Sequence, residues 1–328
     1  MRRHPGNRMA FAFRTTGQEH AAAPLHSRDR LWTKDGMRRA SRLIGLILFL
    51  AAIACSPVRI FNSVVPKEDS ARLVARDMPF GPDKLQQLDI YTPTARDGAP
   101  LPVIVFLYGG SWSSGEKAGY GFVGRALAAR GFLVLIPDYR KLPQVAYPAF
   151  LEDNAAAFRW ARAHAADYGG DPAKMLLAGH SAGAYDGAML LLDPRWLGED
   201  RKAIRGFIGL AGPYDFLPLK GKILNKTFGA VADLRTTQPI SYLAAGAPPV
   251  FLATGDKDRT VYPSNSDALE RHLRAAGVPV ERHRYPQVGH AGLATAIAKP
   301  LRGKAAVLDD MTAFAHRVTD SALLIPAK

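Results

Sequence analysis

The sequence contains very little cysteine, since Cys55 is the only one among 328 residues. A lone thiol excludes internal disulfide bonds and cysteine-rich zinc sites. The chain also lacks the H-E-x-x-H pattern of zinc proteases, and no dinucleotide-binding fingerprint directly follows a strand-like run. Neither an internal repeat nor a long low-complexity tract is present. We therefore expect no metal site and no cofactor.

Clusters of positive charge are also scarce, although the formal net charge is +14. About half of the excess lies in residues 1–54, and the remainder is spread thinly over residues 55–328. Binding to a phosphate backbone needs clustered cations, and the sequence has no basic stripe with interleaved aromatic residues. The charge pattern therefore argues against a nucleic-acid partner.

Long hydrophobic runs are few. Residues 43–54 carry no charge, but as a helix they would rise only about 18 Å, less than the roughly 30 Å hydrocarbon core of a bilayer. Three arginines precede this run and small residues lead up to Cys55, which is the pattern of an export signal. We expect a signal peptide over residues 37–54 and expect residues 1–36 to be untranslated or disordered.

The position of Cys55 resembles the lipobox of bacterial lipoproteins, in which the cysteine is lipidated and becomes the first mature residue. Ala52 stands where that motif usually has leucine. Cleavage near Ala54 without lipidation and an uncleaved signal anchor are the alternatives. The resemblance implies an exported protein that is anchored in the bacterial cell envelope through lipid on Cys55 and faces the periplasm.

Strand-like and helix-like segments alternate after a short tether over residues 55–70. Apolar, β-branched runs separated by helical patterns indicate a mostly parallel sheet covered on both faces. We predict an α/β fold with eight strands over residues 71–328, in which the stretch 212–248 is a small cap insertion at the ligand-binding edge. The predicted strands span residues 71–78, 85–91, 101–108, 132–137, 174–179, 206–211, 249–254 and 279–285, and the predicted helices 116–130, 149–168, 182–192 and 264–276.

One serine between two glycines follows the fifth predicted strand, in the sequence GHSAG (179–183). A strand, a sharp turn and a helix are the context of a nucleophile elbow, in which the serine adopts strained backbone angles. Side chains at Gly179 or Gly183 would collide with neighbouring backbone. We predict Ser181 as a nucleophile and the N–H of Ala182, at the start of the next helix, as an oxyanion donor.

A serine nucleophile needs a general base, usually a histidine. When the serine lies in a nucleophile elbow, an aspartate or glutamate follows it in the sequence, and the histidine comes after that acid. Among the histidines after the cap, His290 alone lies in a glycine-containing loop after the last strand, at the edge where Ser181 is expected. The acid is expected in the loop GDKDRTV (255–261). Asp256 and Asp258 compete there. Asp256 is nearer the end of the strand and could instead fix the turn by bonding backbone N–H groups, and spacing alone does not choose between the two.

Residues 70–320 resemble the α/β-hydrolases, in particular the carboxylesterase branch that includes kynurenine formamidases and isoprenylcysteine methylesterases. The segments that carry the resemblance occur in family order and are YGGSW, PDYR, GGDP, GHSAG, GDKDRTV and GHAG. The family pattern G-x-x-D-x-x-V implies Asp258 as the catalytic acid. The family more often has histidine where Tyr108 stands, and that histidine arranges the loop rather than taking part in the chemistry.

The resemblance also implies roles for the loop after the third strand. The N–H groups of Gly110 and Ser111 are expected to join that of Ala182 in an oxyanion hole. Trp112 is expected to line the acyl or alcohol pocket, and the alternative is an aromatic side chain packed beneath the loop.

Together these residues predict a serine carboxylesterase that cleaves short-to-medium acyl esters of small molecules. Ser181, Asp258 and His290 would form the triad, and the reaction would pass through an acyl-enzyme. An amidase, a formamidase or a peptidase would use the same triad. An inactive lipoprotein that uses the fold as a binding surface is the non-enzymatic alternative. The physiological substrate and the oligomeric state have no signature in the sequence.

Overall fold

The computed structural model describes residues 57–242 and 246–320 of the chain. Within these ranges eight strands form one sheet, in which they lie in the order β1-β2-β4-β3-β5-β6-β7-β8 when numbered along the chain. The strands are β1 (Ala71–Pro79), β2 (Gln87–Pro93), β3 (Leu101–Leu107), β4 (Leu133–Pro137), β5 (Gly170–His180), β6 (Ile204–Leu210), β7 (Val250–Gly255) and β8 (Val280–Tyr285).

The sheet is mostly parallel. β1 and β4 each pair antiparallel with β2, whereas all pairings from β4 to β8 are parallel. Parallel strands bring their carboxyl ends to one edge, so the loops after β3, β5, β7 and β8 meet there. The register pairs Leu107 with Gly179, which sets the loop after β3 beside the GHSAG turn. The predicted eight-stranded, mostly parallel sheet is confirmed.

Helices cover both faces of the sheet, and short 3₁₀ turns connect several of them. The α-helices of the described ranges are α1 (Pro57–Val64), α2 (Gly121–Ala128), α3 (Ala149–His164), α4 (Ala182–Leu192), α5 (Pro194–Leu197), α6 (Lys222–Phe228), α7 (Ser264–Ala275), α8 (His290–Thr295) and α9 (Val307–Thr319). The 3₁₀ turns are Lys117–Gly119, Ala165–Tyr168, Gly198–Ala203, Leu234–Thr237, Pro239–Ser241 and Lys299–Lys304.

The core is divided by the sheet into two apolar layers. Along β3, Ile104 and Phe106 enter the layer that is covered by α2 and α9, while Val103 and Val105 enter the layer covered by α3 and α7. This alternation follows from the two-residue period of a strand. Because both layers are apolar, the central strands read as continuous hydrophobic runs in the sequence.

Two segments differ from the sequence-based expectation. Residues 57–64, expected as part of a tether, form the helix α1, whose Phe61 ring packs edge-on against Phe122 with centroids 5.2 Å apart. Asn62 accepts from the N–H of Phe122 at 2.8 Å and donates to the carbonyl of Ala118 at 2.7 Å, which docks the helix. The single helix predicted over residues 116–130 is instead a 3₁₀ turn followed by α2.

The expected cap stretch 212–248 contains α6 and two of the 3₁₀ turns, apart from residues 243–245. The expectations for residues 1–36, for the signal peptide over residues 37–54 and for lipid on Cys55 lie outside the described residues. Across the described ranges, the helices are all too short or too polar to cross a membrane.

Candidate active site

Ser181 lies at a sharp turn between β5 and α4. Its backbone angles are φ 55° and ψ −122°, a strained conformation for a residue with a side chain. The Ser181 N–H donates to the carbonyl of Leu210 at 2.8 Å, and its own carbonyl accepts from Ala184 and Tyr185 in the first turn of α4. These bonds hold the strained turn and leave the hydroxyl at the carboxyl edge of the sheet.

The two glycines of the GHSAG turn are required by close backbone contacts. A Cβ atom at Gly179 would lie 2.4 Å from the carbonyl oxygen of Gly183, and one at Gly183 would lie 2.1 Å from that of Leu107. Both distances are far below a van der Waals contact. The glycines therefore let α4 begin directly against the end of β3.

His290, the first residue of α8, joins Ser181 to Asp258. The Ser181 hydroxyl donates to Nε2 of His290 at 2.8 Å, and Nδ1–H of His290 donates to Oδ2 of Asp258 at 2.7 Å. The His290 side chain is 18% exposed and that of Asp258 is fully buried. The three side chains thus form a continuous hydrogen-bonded chain from the buried carboxylate of Asp258 to the hydroxyl of Ser181.

The hydrogen bonds distinguish Asp258 from Asp256, the two carboxylates that could pair with His290. The other oxygen of Asp258 accepts from the N–H groups of Thr260 and Val261 at 2.8 and 2.9 Å. Burial by itself would raise the pKa of Asp258, but the hydrogen bonds from His290, Val261 and Thr260 outweigh it and keep the pKa below its ordinary value. Asp256 instead pairs with Arg284 at 2.8 Å on the surface. It is therefore Asp258, not Asp256, that fixes the turn.

The loop after β3 lies beside Ser181 in an unusual conformation. Gly110 has φ 145°, while Ser111 and Trp112 have φ 51° and 53°. Ser113 and Ser114 both donate their N–H groups to the carbonyl of Gly110 at 3.0 Å, which turns the loop back on itself. A Cβ atom at Gly110 would lie 2.1 Å from the carbonyl oxygen of Ser114, so only glycine fits there.

Trp112 is buried, at 2% exposure, beneath this loop. Its Nε1–H donates to Oδ1 of Asp186 at 2.9 Å, and its ring packs edge-on against Tyr185 and Phe228. Trp112 also touches the cavity that opens above it. The residue therefore both packs under the loop and forms part of a cavity floor.

Tyr108, at the position where the family more often has histidine, is fully buried and supports the same loop. Its ring stacks on Tyr139 at 4.7 Å and on Tyr120 at 5.6 Å. The hydroxyl of Tyr139 donates to the Tyr108 carbonyl at 2.9 Å, and Lys141 donates to the Tyr108 hydroxyl at 3.1 Å. A stack of tyrosines thus holds the start of the loop.

Two cavities meet at the nucleophile. The larger, of about 610 Å³, lies against segments of residues 213–224 and 260–265, and the smaller, of about 390 Å³, is lined by His290 and by α1. Ser111, Ser181 and Thr260 line both. We call the first the cap lobe and the second the α1 lobe. A ligand bound at Ser181 could therefore extend a group into each lobe.

The walls of the two lobes differ. Pro57, Val58 and Phe61 of α1 line the α1 lobe with apolar side chains, and His290 lines the same lobe. The cap lobe contains Trp112 and Ala182 but not His290, and its rim carries Lys220, Lys222 and Asp215. Sequence reasoning missed the contribution of α1, and the amphipathic pattern of residues 57–64 was the only available signal.

Sequence reasoning also passed over His180, the residue before the nucleophile. Its Nε2 lies 3.1 Å from the main-chain oxygen of His290, and the two imidazole rings have centroids 4.9 Å apart. The residue is 5% exposed, and burial lowers its pKa to about 3. Its place inside GHSAG was the only available signal.

Other parts of the described surface offer no comparable site. An open groove of about 710 Å³ lies between Arg159, Arg162 and Arg205, but no serine, cysteine or histidine lines it. Within residues 57–242 and 246–320, no group of three or more His, Cys, Asp or Glu side chains is arranged to hold a metal ion.

Comparisons with known proteins find several similar chains that are named esterases. The family model BD-FAE matches residues 88–273, a range that includes Ser181 and Asp258 but ends before His290. A probable isoprenylcysteine alpha-carbonyl methylesterase from Oryza sativa subsp. japonica is 30% identical over 70% of this chain and 59% of its own length. Esterase LipC from Mycobacterium tuberculosis is 29% identical over 61% of this chain and 55% of its own. The chain thus spans less than two thirds of these curated relatives.

Solved structures show the same fold. Esterase B from Lactobacillus rhamnosis, determined with a tributyrin phosphonate inhibitor, superposes with a TM-score of 0.71 at 18% identity, covering 86% of this chain and 97% of that chain. A truncated carbohydrate esterase from gut microbiota superposes with a TM-score of 0.67 at 20% identity, covering 78% and 99%. The architecture is therefore the α/β-hydrolase fold, as the sequence predicts.

Proposed function

The chain belongs to the BD-FAE family, and from this premise we propose that it is a serine carboxylesterase in which Ser181 is the nucleophile. The observation that carries the proposal is the continuous chain of hydrogen bonds from Ser181 through His290 to Asp258, at 2.8 and 2.7 Å. The esterase names of the relatives support ester cleavage as the reaction. The strained turn at Ser181 supports the same role, because it aims the hydroxyl at the junction of the two lobes.

The reaction follows from this geometry. His290 takes the hydroxyl proton as Ser181 Oγ attacks the ester carbonyl, while Asp258 holds the imidazole and stabilises its charged form. The developing oxyanion is stabilised by backbone N–H groups, for which Ala182 at the start of α4 and the loop residues Gly110 and Ser111 are the candidates. His290 then protonates the departing alcohol, and water attacks the acyl-enzyme in the same manner.

Each lobe would hold one part of the ester substrate. The alcohol oxygen must face Nε2 of His290 to receive its proton, so the leaving alcohol occupies the α1 lobe, which His290 lines. The acyl chain then enters the cap lobe, which lies against Trp112 and Ala182. A cap lobe of about 610 Å³ suits acyl groups of short to medium length.

A panel of p-nitrophenyl esters of graded acyl length tests the proposal. Ser181→Ala should lose turnover by roughly 10⁴-fold or more, because triad members act as a unit, and should keep the wild-type circular dichroism spectrum. A fluorophosphonate probe should label the wild type and not the variant. Wild-type turnover by a folded Ser181→Ala protein, or failure of the wild type to label, would overturn the proposal and leave a non-enzymatic role for the fold.

Turnover of anilides that share an acyl group with the esters distinguishes an esterase from an amidase or formamidase. The phenolate leaves more easily than an amine, so any enzyme with this triad cleaves the ester faster, and the test is whether the anilide is cleaved at all. An amidase or formamidase would show measurable turnover of the anilide. We expect no measurable turnover of the anilide under conditions in which the matching ester is cleaved.

A further inference from the structure

His180 links the nucleophile turn to the loop that carries the general base. It is the last residue of β5, directly before Ser181, and its imidazole crosses to the first residue of α8. There its Nε2 lies 3.1 Å from the main-chain oxygen of His290, whereas the two ring nitrogens of His290 bond to Ser181 and Asp258. The contact therefore acts on the backbone that presents the base.

The partner of this contact determines the tautomer of His180. A carbonyl oxygen only accepts, so Nε2 of His180 must carry the proton and donate it. Nδ1 is then an unprotonated acceptor, and among the described residues it has no hydrogen-bond partner. It faces Gly109, where a Cβ atom would lie 3.2 Å away. Since burial lowers the pKa of His180 to about 3, the ring is neutral at physiological pH and donates one hydrogen bond.

The two histidines close a small ring. This ring is a closed loop of covalent and hydrogen bonds, not an imidazole. One side of the loop is the peptide bond from His180 to Ser181, and the opposite side runs from the His290 imidazole to the His290 carbonyl. Two hydrogen bonds complete it, from the Ser181 hydroxyl to Nε2 of His290 and from Nε2 of His180 to the His290 carbonyl. Because both bonds involve His290 and adjacent residues of the nucleophile turn, we expect a change in one bond to shift the other.

We propose that His180 is a positioning residue that holds His290 in line with the Ser181 hydroxyl through its hydrogen bond to the His290 carbonyl. This inference rests on the proposed triad. A displacement of the base by about 1 Å can reduce turnover by about 10²-fold, so a bond that fixes its backbone affects kcat rather than substrate binding.

Three variants test the inference. His180→Phe keeps a planar ring but removes the donor, and His180→Gln restores an N–H donor at a similar reach. His316→Phe is the matched control, because Nε2 of His316 also contacts a main-chain oxygen, that of Arg130, at 2.9 Å, and its ring also packs on an aromatic ring.

With a p-nitrophenyl ester, His180→Phe should lower kcat by about 10- to 100-fold while KM changes by less than about twofold. His180→Gln should recover kcat to within about fivefold of the wild type, and His316→Phe should leave it unchanged. A folded His180→Phe protein with wild-type kcat would overturn the inference, and so would His180→Gln if it were folded and as slow as His180→Phe.

The inference can also be tested without a variant. Spectra of the wild-type protein labelled with ¹⁵N-histidine should show His180 as the neutral Nε2–H tautomer at pH 7, and an Nδ1–H tautomer would overturn it. Activity in a folded Ser181→Ala protein would instead overturn the proposed function. Wild-type kcat in His180→Phe together with loss of activity in Ser181→Ala would overturn the role of His180 alone.

Discussion

At the scale of single residues, backbone strain is concentrated at the candidate site. Within the described ranges, three of the five non-glycine residues with positive φ lie there, namely Ser111, Trp112 and Ser181. Such conformations cost on the order of 1–3 kcal/mol each and persist where surrounding contacts hold them. The contacts here are the hydrogen bonds to Leu210 and Gly110, so the strain is retained where it aims the hydroxyl and the loop amides at one point.

Asp258 and Asp256 offer a matched pair of variants at this scale. Asp258→Asn should lower turnover by about 10³- to 10⁴-fold, because the imidazole of His290 loses its orientation and tautomer. Asp256→Asn should retain turnover to within about twofold, since its carboxylate pairs with Arg284 on the surface. Steady-state rates of the two purified variants show which aspartate is the catalytic acid. If Asp256→Asn lost more turnover than Asp258→Asn, that role would belong to Asp256.

Asp186 gives a prediction about pH. Burial raises its pKa well above the ordinary value, although Trp112 and Asn154 donate to its two oxygens. The folded protein therefore retains a proton that the unfolded chain releases, and the free energy of unfolding falls as pH rises above the unfolded pKa of about 4. Below that value both states are protonated and the effect is absent.

Asp186→Asn should remove this pH dependence. The amide keeps an acceptor for Trp112, and a rotated Asn154 can present its Oδ1, which lacks a partner within the described residues. Urea unfolding at pH 4 and pH 8 should show the variant gaining stability relative to the wild type at the higher pH. A stability difference that is equal at both pH values would contradict the raised pKa.

At the scale of elements, α1 is a wall of the site as well as the start of the described domain. Phe61 packs on Phe122 and, with Val58, lines the α1 lobe that His290 also lines. The other side of the helix faces solvent, with Ile60 42% and Val64 73% exposed. The helix therefore contributes to specificity for the leaving alcohol under the proposed mechanism.

Phe61→Ala should weaken catalysis on esters of large apolar alcohols. For a benzyl ester, kcat/KM should fall by about tenfold, which corresponds to about 1.4 kcal/mol of lost apolar contact. The methyl ester of the same acid should change by less than about twofold, because methanol does not reach the helix. Ile60→Ala is the control, since Ile60 does not line the lobe. Equal losses on both esters would place the alcohol elsewhere.

At the scale of the whole molecule, one edge of the sheet gathers residues that are far apart in the chain. Ser181 and His290 are separated by 109 positions, and His290 and Asp258 by 32. The loops after β3, β5, β7 and β8 meet because the strand order brings four carboxyl ends together. The site therefore depends on the topology of the complete sheet.

For the chain as a whole, we predict export and lipid modification of Cys55. Under the proposed lipoprotein signal, lipid on Cys55 should anchor the protein to a membrane, and Cys55→Ser should block the modification and change how the protein partitions between membrane and soluble fractions. Mass spectrometry of the native protein checks the prediction, and an unmodified Cys55 in membrane-bound mature protein would contradict it.

The sequence alone determined the order of the strands along the chain and the place of the nucleophile turn. The period of the hydrophobic residues, the content of β-branched residues and the spacing of glycines are local properties of the sequence. Seven of the eight predicted strands therefore begin within two residues of the observed start. The exception, β5, begins at Gly170 rather than at Lys174 because Gly170 pairs with Leu101 through the GGDP segment. Ser181 and His290 stood out for the same reason, since each lies in a short glycine-containing loop directly after a strand.

The tertiary structure decided which side chains touch. From spacing alone Asp256 and Asp258 were equivalent, and the path of one turn places only Asp258 against His290. The wall formed by α1 and the bond from His180 to the His290 carbonyl also join segments that are far apart in the chain. Contacts of this kind depend on strand order, twist and register, which no local pattern encodes.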